Sequence, residues 1–292
     1  MTNQTFSLAG HDVHRVGFGA MQLPGPGVMG PPRDHDEAIA VLRRAVELGV
    51  NHIDTAAFYG PNVSNELIRE ALHPYTDDLV LVSKVGAHRD DAGGWLPAQR
   101  PEQLKEDVRT NLDQLGVDRL PVVNLRVMPK DEIGEENHHP FEEQLGAMQE
   151  LVSDGLLEAF GVSNVSQAQA RTAIDAGAVC VQNAYNLLQR DDEATLRLCA
   201  ERGVAYVPFF PLGSAFPGMP KVTDDARVHS LAEQLGATPS QIGLAWLLRQ
   251  SDAVLLIPGT SSVAHLEENI AAGRVVMSDT ESAELEGPLA SE

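Results

Sequence analysis

The sequence is poor in cysteine: its 292 residues include two, Cys180 and Cys199, which form no CxxC pair. Both lie in apolar segments, so we expect two buried thiols, and this usage is typical of a reducing compartment. The segment 1–10 lacks the basic region and apolar run of a secretory leader. No stretch approaches the roughly 18 apolar residues of a membrane span. We therefore expect a cytoplasmic protein without a membrane-spanning segment.

Positive charge is also scarce. The chain has 21 Lys and Arg against 42 Asp and Glu, which gives a formal net charge of -21 at pH 7. Nucleic acids and anionic membranes are bound by clustered Lys and Arg, so this balance argues against either as a partner. A local basic pocket for a phosphate group stays compatible with it.

Zinc-binding spacing is missing as well. A catalytic zinc needs three converging ligands and an open fourth position, and no HExxH or similar pattern occurs. The pair His138–His139 has glutamates nearby, at Glu135 and Glu136, but we expect a solvated loop there. The sequence therefore predicts no metal site.

What the sequence does have is alternation between short β-branched runs and longer helical patterns. Hydrophobic residues make up 43% of the chain, enough for a sizeable core. Apolar side chains recur at helical spacing from Asp36 to Leu48, and Gly49 ends that helix. Strands are predicted at 15–21, 51–54, 79–84, 122–126, 159–163, 180–184, 205–209 and 254–257. Helices are predicted near 36–48, 64–72, 101–115, 140–154, 166–176, 191–202, 227–235, 239–250 and 263–271.

These elements make eight strand-then-helix units of about 36 residues each. Alternation of this kind indicates parallel strands covered by helices, and eight units favour closure into an α/β fold of the (β/α)8 TIM-barrel type. No linker or shift in composition divides the chain, so residues 1–292 are predicted to form a single domain. Longer loops follow three of the strands, at 87–99, 128–140 and 211–225. They lie on the face where such barrels carry their chemistry.

Three polar side chains lie at or just beyond neighbouring strand ends. Asp54 ends the second predicted strand, Tyr59 follows in the next loop, and Lys84 ends the third. A lysine beside a tyrosine lowers the pKa of the phenol, and an aspartate beside the lysine keeps the ammonium charged. Such a phenol can protonate an oxygen that develops negative charge. Each residue also has a plainer interpretation: a capping or turn aspartate, a loop aromatic and a strand-end lysine.

Several segments together resemble the aldo-keto reductases, in that family's order along nearly the whole chain. The segments are 52–60 (HIDTAAFYG), 83–84 (SK), 161–164 (GVSN), 182–183 (QN), 257–262 (IPGTSS) and 268–269 (EN). The resemblance implies a (β/α)8 barrel that reduces a small-molecule aldehyde or ketone with NADPH and without a metal. It also implies that Asp54, Tyr59 and Lys84 occupy three of the four catalytic positions, with Tyr59 as the general acid.

The fourth catalytic position of that family usually holds a histidine, and here it holds Arg126. An arginine stays charged and has no lone pair with which to shuttle a proton. It can still donate hydrogen bonds to a carbonyl oxygen or a substrate hydroxyl, and its charge should lower the pKa of Tyr59 further. The alternative is that Arg126 pairs with an acid near the barrel mouth and leaves the substrate alone.

The resemblance further implies which residues bind NADPH or NADP+. Ser163, Asn164 and Gln182 match the residues that hold the nicotinamide carboxamide, and Phe209 matches an aromatic ring that lies against the nicotinamide. The other implied cofactor-binding residues are Met21, Gly259, Thr260, Ser261, His265, Glu268 and Asn269. An ordinary turn at 163–164 and a barrel-rim aromatic at 209 are the plainer interpretations.

Two groups among these residues are implied to bind particular parts of the cofactor. Residues 259–262 precede a helix, so their amides are placed to bind a phosphate group at its positive end. The family often has Lys and Arg where this chain has Gly259 and His265, which weakens the case for the 2′-phosphate of NADPH. Glu268 and Asn269 match an adenine-contacting pair, and exposed polar residues of a helix are the alternative.

The resemblance favours pyridoxal, reduced to pyridoxine, as the reaction, and two alternatives stay open. One is a broad-specificity aldehyde or ketone reductase, and the other is a regulatory barrel that binds the cofactor with little turnover. Observed turnover of NADPH with aldehydes would separate the second from the first. The sequence leaves the physiological substrate, the favoured direction and the oligomeric state open.

Overall fold

A curled sheet of parallel strands forms the centre of the computed structural model, which describes residues 5–213 and 220–287. Its seven strands are, in chain order, β3 (Phe18–Gly19), β4 (His52–Asp54), β5 (Val80–Val85), β8 (Leu120–Arg126), β9 (Leu157–Ser163), β10 (Cys180–Gln182) and β11 (Ala205–Tyr206). Each strand pairs in parallel with its neighbour in this order.

Residues 254–257 close this sheet into a barrel. Tyr206 bridges Val254 on one side, and Val16 bridges Leu256 on the other, both in parallel. The amide of Leu256 donates to Arg15 O at 2.8 Å. The predicted (β/α)8 barrel is therefore confirmed, although its eighth strand pairs only through isolated bridges.

The helices cover the outside of the barrel. They are α1 (His35–Glu47), α2 (Val63–Leu72), α3 (Pro101–Leu115), α4 (Lys130–Ile133), α5 (Phe141–Ser153), α6 (Gln167–Asp175), α7 (Glu193–Arg202), α8 (Ala226–Leu235), α9 (Pro239–Gln250), α10 (Val263–Ala271) and α11 (Asp279–Leu285). Nine of these match the predicted helices within two residues at each end. None of the helices in the described part of the chain is long and apolar enough to cross a membrane.

Three differences from the prediction have local causes. The first barrel strand is shorter than 15–21, because a 3-10 turn begins at Ala20. An antiparallel hairpin precedes it, β1 (Thr5–Leu8) with β2 (His11–His14), and the buried Leu8 and Val13 belong to the apolar cluster inside the barrel.

The long loops are more ordered than the sequence suggested. The loop at 87–99 forms a second hairpin, β6 (Ala87–Arg89) with β7 (Trp95–Pro97), and the loop at 128–140 contains α4. Part of the third loop, 214–219, lies outside the described residues.

Alternation along the strands separates the barrel interior from the helix-facing side. Asp54, Lys84 and Arg126 lie at the carboxyl ends of β4, β5 and β8. Both cysteines are buried free thiols, as predicted.

Candidate active site

A cavity of about 520 Å³ opens at the carboxyl ends of the barrel strands. Nine of the predicted site residues line it: Met21, Asp54, Tyr59, Lys84, Arg126, Gln182, Phe209, Gly259 and Asn269. The other six lie outside its lining: Ser163, Asn164, Thr260, Ser261, His265 and Glu268. The described residues include no cluster of three or more His, Cys, Asp or Glu side chains that could hold a metal ion.

The three predicted catalytic residues meet at the base of this cavity. The Lys84 ammonium donates to Asp54 Oδ1 and, at 3.3 Å, to the carbonyl of Thr55. The same nitrogen lies 5.2 Å from the centroid of the Tyr59 ring. All three side chains are buried. The structure thus unites groups that the sequence placed only at or just beyond neighbouring strand ends.

Burial changes the acidity of Tyr59 in the direction opposite to the prediction. Its pKa lies above the ordinary value of 10.0, because desolvation of the phenolate outweighs the opposing effect of Lys84. Arg126 also acts to lower this pKa, as predicted, but it contributes less than Lys84. The expected lowered pKa is therefore wrong for the protein by itself.

For Lys84, neighbouring groups outweigh the effect of burial on the pKa. Burial lowers the pKa of its ammonium, but Asp54 and then Tyr59 act together in the other direction, so the pKa lies above its ordinary value. The prediction that Asp54 keeps the ammonium charged is confirmed. The site holds a charged lysine beside a neutral phenol.

Arg126 reaches the cavity as a half-buried cation between aromatic rings. Its guanidinium carbon lies 5.7 Å from the centroid of Trp95 and 5.8 Å from that of Phe209. No carboxylate of the described residues forms an ion pair with it, so the pairing alternative does not hold. Burial lowers the pKa of its guanidinium, against weaker opposing effects of Tyr59 and Glu132.

Two of the residues predicted to hold a carboxamide have buried polar atoms without partners. Ser163 Oγ and Gln182 Oε1 make no hydrogen bond to any described residue. Gln182 donates its Nε2 to Asp54 Oδ2 at 2.9 Å, which leaves its oxygen free to accept. Asn164 donates its side-chain amide to Val127 O at 2.9 Å. A primary amide offers both donors and an acceptor, so it suits these unpaired atoms.

The loop before α10 offers backbone donors. The amides of Gly259, Thr260 and Ser261 form no hydrogen bond with the described residues. The next two amides are occupied, because Ser262 N donates to Thr260 Oγ1 and Val263 N donates to Glu37 Oε1. The predicted phosphate site is thus reduced to the amides at 259–261.

The predicted cofactor-binding residues on α10 differ in their burial and in their hydrogen bonds. Asn269 is buried and lines the cavity, and His265 is exposed. Glu268 accepts a hydrogen bond at 2.5 Å from the hydroxyl of Thr238, the residue that caps the start of α9. It lies beside Asn269 on α10, but its contacts are those of a structural residue.

Sequence reasoning missed several lining residues, among them Phe58, Trp95, Phe210, Leu212 and Lys221. Trp95 comes from the hairpin β6–β7, and a tryptophan in a long loop at the active face of a barrel is a signal that the sequence does carry. Lys221 places a cation in the wall, after the seventh barrel strand. Its position could not be read from composition or spacing.

Comparison with known proteins bears on this geometry. The sequence model of the aldo/keto reductase family matches residues 15–289. The chain is an aldo-keto reductase. It is 50% identical over 292 residues to the pyridoxine 4-dehydrogenase of Escherichia coli K12, covering 98% of this chain and 99% of that one. It is 37% identical to an uncharacterised oxidoreductase of Schizosaccharomyces pombe, covering 94% and 86% of the two chains.

Solved structures agree with this assignment. A thermostable aldo-keto reductase bound to the inhibitor epalrestat has a TM-score of 0.80 and 30% identity, over 97% of this chain and 98% of that one. An aldo-keto reductase from Klebsiella pneumoniae in complex with NADPH has a TM-score of 0.80 and 25% identity, over 98% and 95% of the chains. The barrel and the oxidoreductase class of this aldo-keto reductase are established on these grounds.

Proposed function

We propose that this aldo-keto reductase uses NADPH to reduce an aldehyde to an alcohol, and that its reaction is pyridoxal to pyridoxine. The observation that carries the proposal is the buried group of Asp54, Lys84 and Tyr59 at the base of a cavity that also holds the cation of Arg126. The Escherichia coli relative supports the substrate, and the Klebsiella pneumoniae structure supports the cofactor.

The chain's own residues fit such a cofactor. Ser163 Oγ and Gln182 Oε1 are the partners proposed for the carboxamide, since both are buried and bond none of the residues that the structure describes. The free amides at 259–261 and the cation of Lys221 are proposed to hold phosphate oxygens. Phe209 supplies an aromatic face in the cavity wall. When bound, the reduced nicotinamide supplies the hydride.

Tyr59 is the proton donor in this proposal. Its raised pKa means that the phenol carries its proton at neutral pH, so it is ready to give that proton to the substrate oxygen. Lys84, kept charged by Asp54, stabilises the phenolate that remains. Arg126 donates hydrogen bonds to a negatively polarised substrate oxygen, for which the phenolate-type oxygen of pyridoxal is suited.

The proposal is tested by following NADPH oxidation with pyridoxal beside benzaldehyde, in wild type and Tyr59→Phe. We expect turnover of pyridoxal in wild type and a loss of roughly 10²–10⁴-fold in Tyr59→Phe, with NADPH binding intact by fluorescence titration. Tyr75→Phe is the matched control, because Tyr75 bonds Leu115 O on the outer helices.

Three outcomes are informative. Equal use of both aldehydes would replace the pyridoxal assignment with a broad-specificity reductase. NADPH binding without turnover of either aldehyde would support a regulatory barrel. Turnover by Tyr59→Phe within about threefold of wild type would remove Tyr59 from its role.

We further propose that residues 1–292 act as one domain in the cytoplasm. The single barrel formed by the described residues supports the first statement, and two free buried thiols support a reducing compartment. Vitamin B6 metabolism follows as the setting if pyridoxal is the substrate.

A further inference from the structure

A network of buried polar side chains lies behind the catalytic group, on the helix-facing side of the barrel. Thr55, Ser83, Asn65 and Asn111 are all 0% exposed. Thr55 Oγ1 donates to Asn65 Oδ1 at 2.8 Å, and Asn65 Nδ2 donates to Asn111 Oδ1 at 2.9 Å. Ser83 Oγ donates to the same Asn111 Oδ1 at 2.5 Å. Buried polar groups are costly unless they are paired, and these are paired with one another.

The chain joins this network directly to the catalytic residues. Thr55 follows Asp54, and Ser83 precedes Lys84, so alternation along the strands sends the network and the catalytic side chains to opposite faces. The carbonyl of Thr55 accepts from Lys84 Nζ at 3.3 Å. The amide of Thr55 donates to Val82 O at 2.8 Å. Whatever holds Thr55 therefore holds an acceptor of the Lys84 ammonium.

The far side of the network is anchored in two helices. Asn65 belongs to α2, and its second N–H donates to Gln114 Oε1 on α3 at 2.8 Å. Asn111, also on α3, donates its own amide to Asp107 O at 2.8 Å. Gln114 Nε2 donates to Asn62 Oδ1 at 2.6 Å. Each buried asparagine thus donates from its amide nitrogen and accepts at its amide oxygen, which fixes the orientation of both amide groups.

The same helix reaches Tyr59 through the backbone. The amide of Ser64, the residue before Asn65, donates to Tyr59 O at 3.1 Å. Asn62, which Gln114 holds, has a left-handed φ of 71° just before α2 begins. One helix end therefore connects the segment that carries the phenol with the network that holds Thr55.

We propose that Thr55, held by Asn65, is a positioning residue that sets where the Lys84 ammonium lies relative to the Tyr59 phenol. The hydroxyl of Thr55 forms its hydrogen bond with Asn65, not with a catalytic residue. It anchors the strand end whose carbonyl receives one hydrogen of the ammonium, and Asn65 ties that anchor to the helix that follows Tyr59.

The first test compares Thr55→Val, which deletes the hydroxyl at nearly constant shape, with Thr55→Ser, which keeps it. With benzaldehyde as substrate, we expect kcat to fall about 10- to 100-fold in Thr55→Val, with KM and NADPH affinity nearly unchanged. Thr55→Ser should restore kcat to within about threefold of wild type. Thr195→Val is the matched control, because Thr195 on α7 is equally buried and donates to Asp192, just before that helix.

The second test needs no substrate. The chain has four lysines, Lys84, Lys105, Lys130 and Lys221, and Lys84 is the buried one. In protein labelled with 15N at lysine Nζ, the Lys84 ammonium should give the slowly exchanging signal. We expect this signal to shift and its protons to exchange faster in Thr55→Val, but not in Thr55→Ser or Thr195→Val.

The proposal rests on the proposed function only for the activity measurement. An unchanged Lys84 signal in Thr55→Val, or equal kcat in Thr55→Val and Thr55→Ser, would overturn it. If benzaldehyde and pyridoxal are not reduced by wild type, the reductase proposal fails while the NMR comparison still decides this one. If Thr55→Val does not fold, Ser83→Ala removes the other donor to Asn111, and the same two readouts apply.

Discussion

The acidity of Tyr59 depends on two effects of opposite sign. Lys84 favours the phenolate, and the enclosing protein disfavours it; burial is the larger effect, so the pKa is raised. A neutral phenol suits an acid that must still hold its proton when the carbonyl arrives. The charged Lys84 then acts on the product of the proton transfer.

Arg126 occupies a position that usually holds a histidine in the family, and Arg126→Met tests whether its charge takes part in substrate binding. If Arg126 binds a charged substrate oxygen, its loss should weaken binding of pyridoxal by about 1.5–3 kcal/mol and affect benzaldehyde less. The pKa of Tyr59 should also rise, because Arg126 acts to lower it, so the basic limb of the pH profile moves to higher pH. The measurement is kcat/KM against pH for both aldehydes.

Arg274→Met removes the same charge from an exposed site and serves as the control. An unchanged ratio of the two substrates, together with an unchanged pH profile, would place Arg126 outside substrate binding. The positions of Trp95 and Phe209 around its guanidinium argue instead that Arg126 binds the substrate.

At the scale of elements, the hairpin β6–β7 carries Trp95 into the cavity wall and is fastened to α3. His88 Nε2 lies 2.6 Å from Asp107 Oδ1. The hydrogen bond to Asp107 raises the pKa of His88, against a smaller opposing effect of burial. A raised pKa in the folded state means that protonation of His88 stabilises the folded protein.

Asp107→Asn should therefore destabilise the protein more in acid than in base. The stabilisation is complete below the unfolded pKa of about 6.5 and is lost as pH rises through the higher folded value. Because His88 is half exposed, we expect a loss of about 0.5 kcal/mol near pH 5.5 that largely disappears near pH 8.5. Urea unfolding of both proteins at the two pH values measures it.

Asp113→Asn, at an exposed position of the same helix α3, is the control for a lost carboxylate. An equal loss of stability at both pH values would show that Asp107 acts through packing alone.

At the scale of the whole molecule, the net charge of -21 sets the electrostatic background. Excess charge of one sign destabilises a compact state by self-repulsion, and salt screens it. Raising NaCl from about 0.01 to 0.2 M should therefore raise the Tm by a few degrees, on the order of 1 kcal/mol for a chain of this size.

Sodium fluoride should act in the same way, since screening does not depend on the identity of the anion. A Tm that falls with salt would mean that surface ion pairs such as Arg44–Glu267 contribute more than the overall repulsion costs. Thermal unfolding followed by circular dichroism measures both salts.

The sequence by itself determined the barrel and the positions of its chemistry. Short-range periodicity of apolar residues predicts the alternation of strands and helices, and parallel strands bring their carboxyl ends to one face. Asp54, Tyr59 and Lys84 could therefore be placed near one another before any contact was known, whereas Arg126 was assigned to the site by the family resemblance. The helix α3 was predicted at its observed bounds, and in the structure Pro101 begins it and Gly116, with a φ of 70°, follows its end.

Only the tertiary structure decided the contacts that depend on distant segments. The hairpin β1–β2 is too short to show a clear period, and Lys221 reaches the cavity through a loop without one. Whether burial or Lys84 controls the pKa of Tyr59 depends on how much protein surrounds the phenol on every side. That quantity is a sum over many chain segments, and no local pattern contains it.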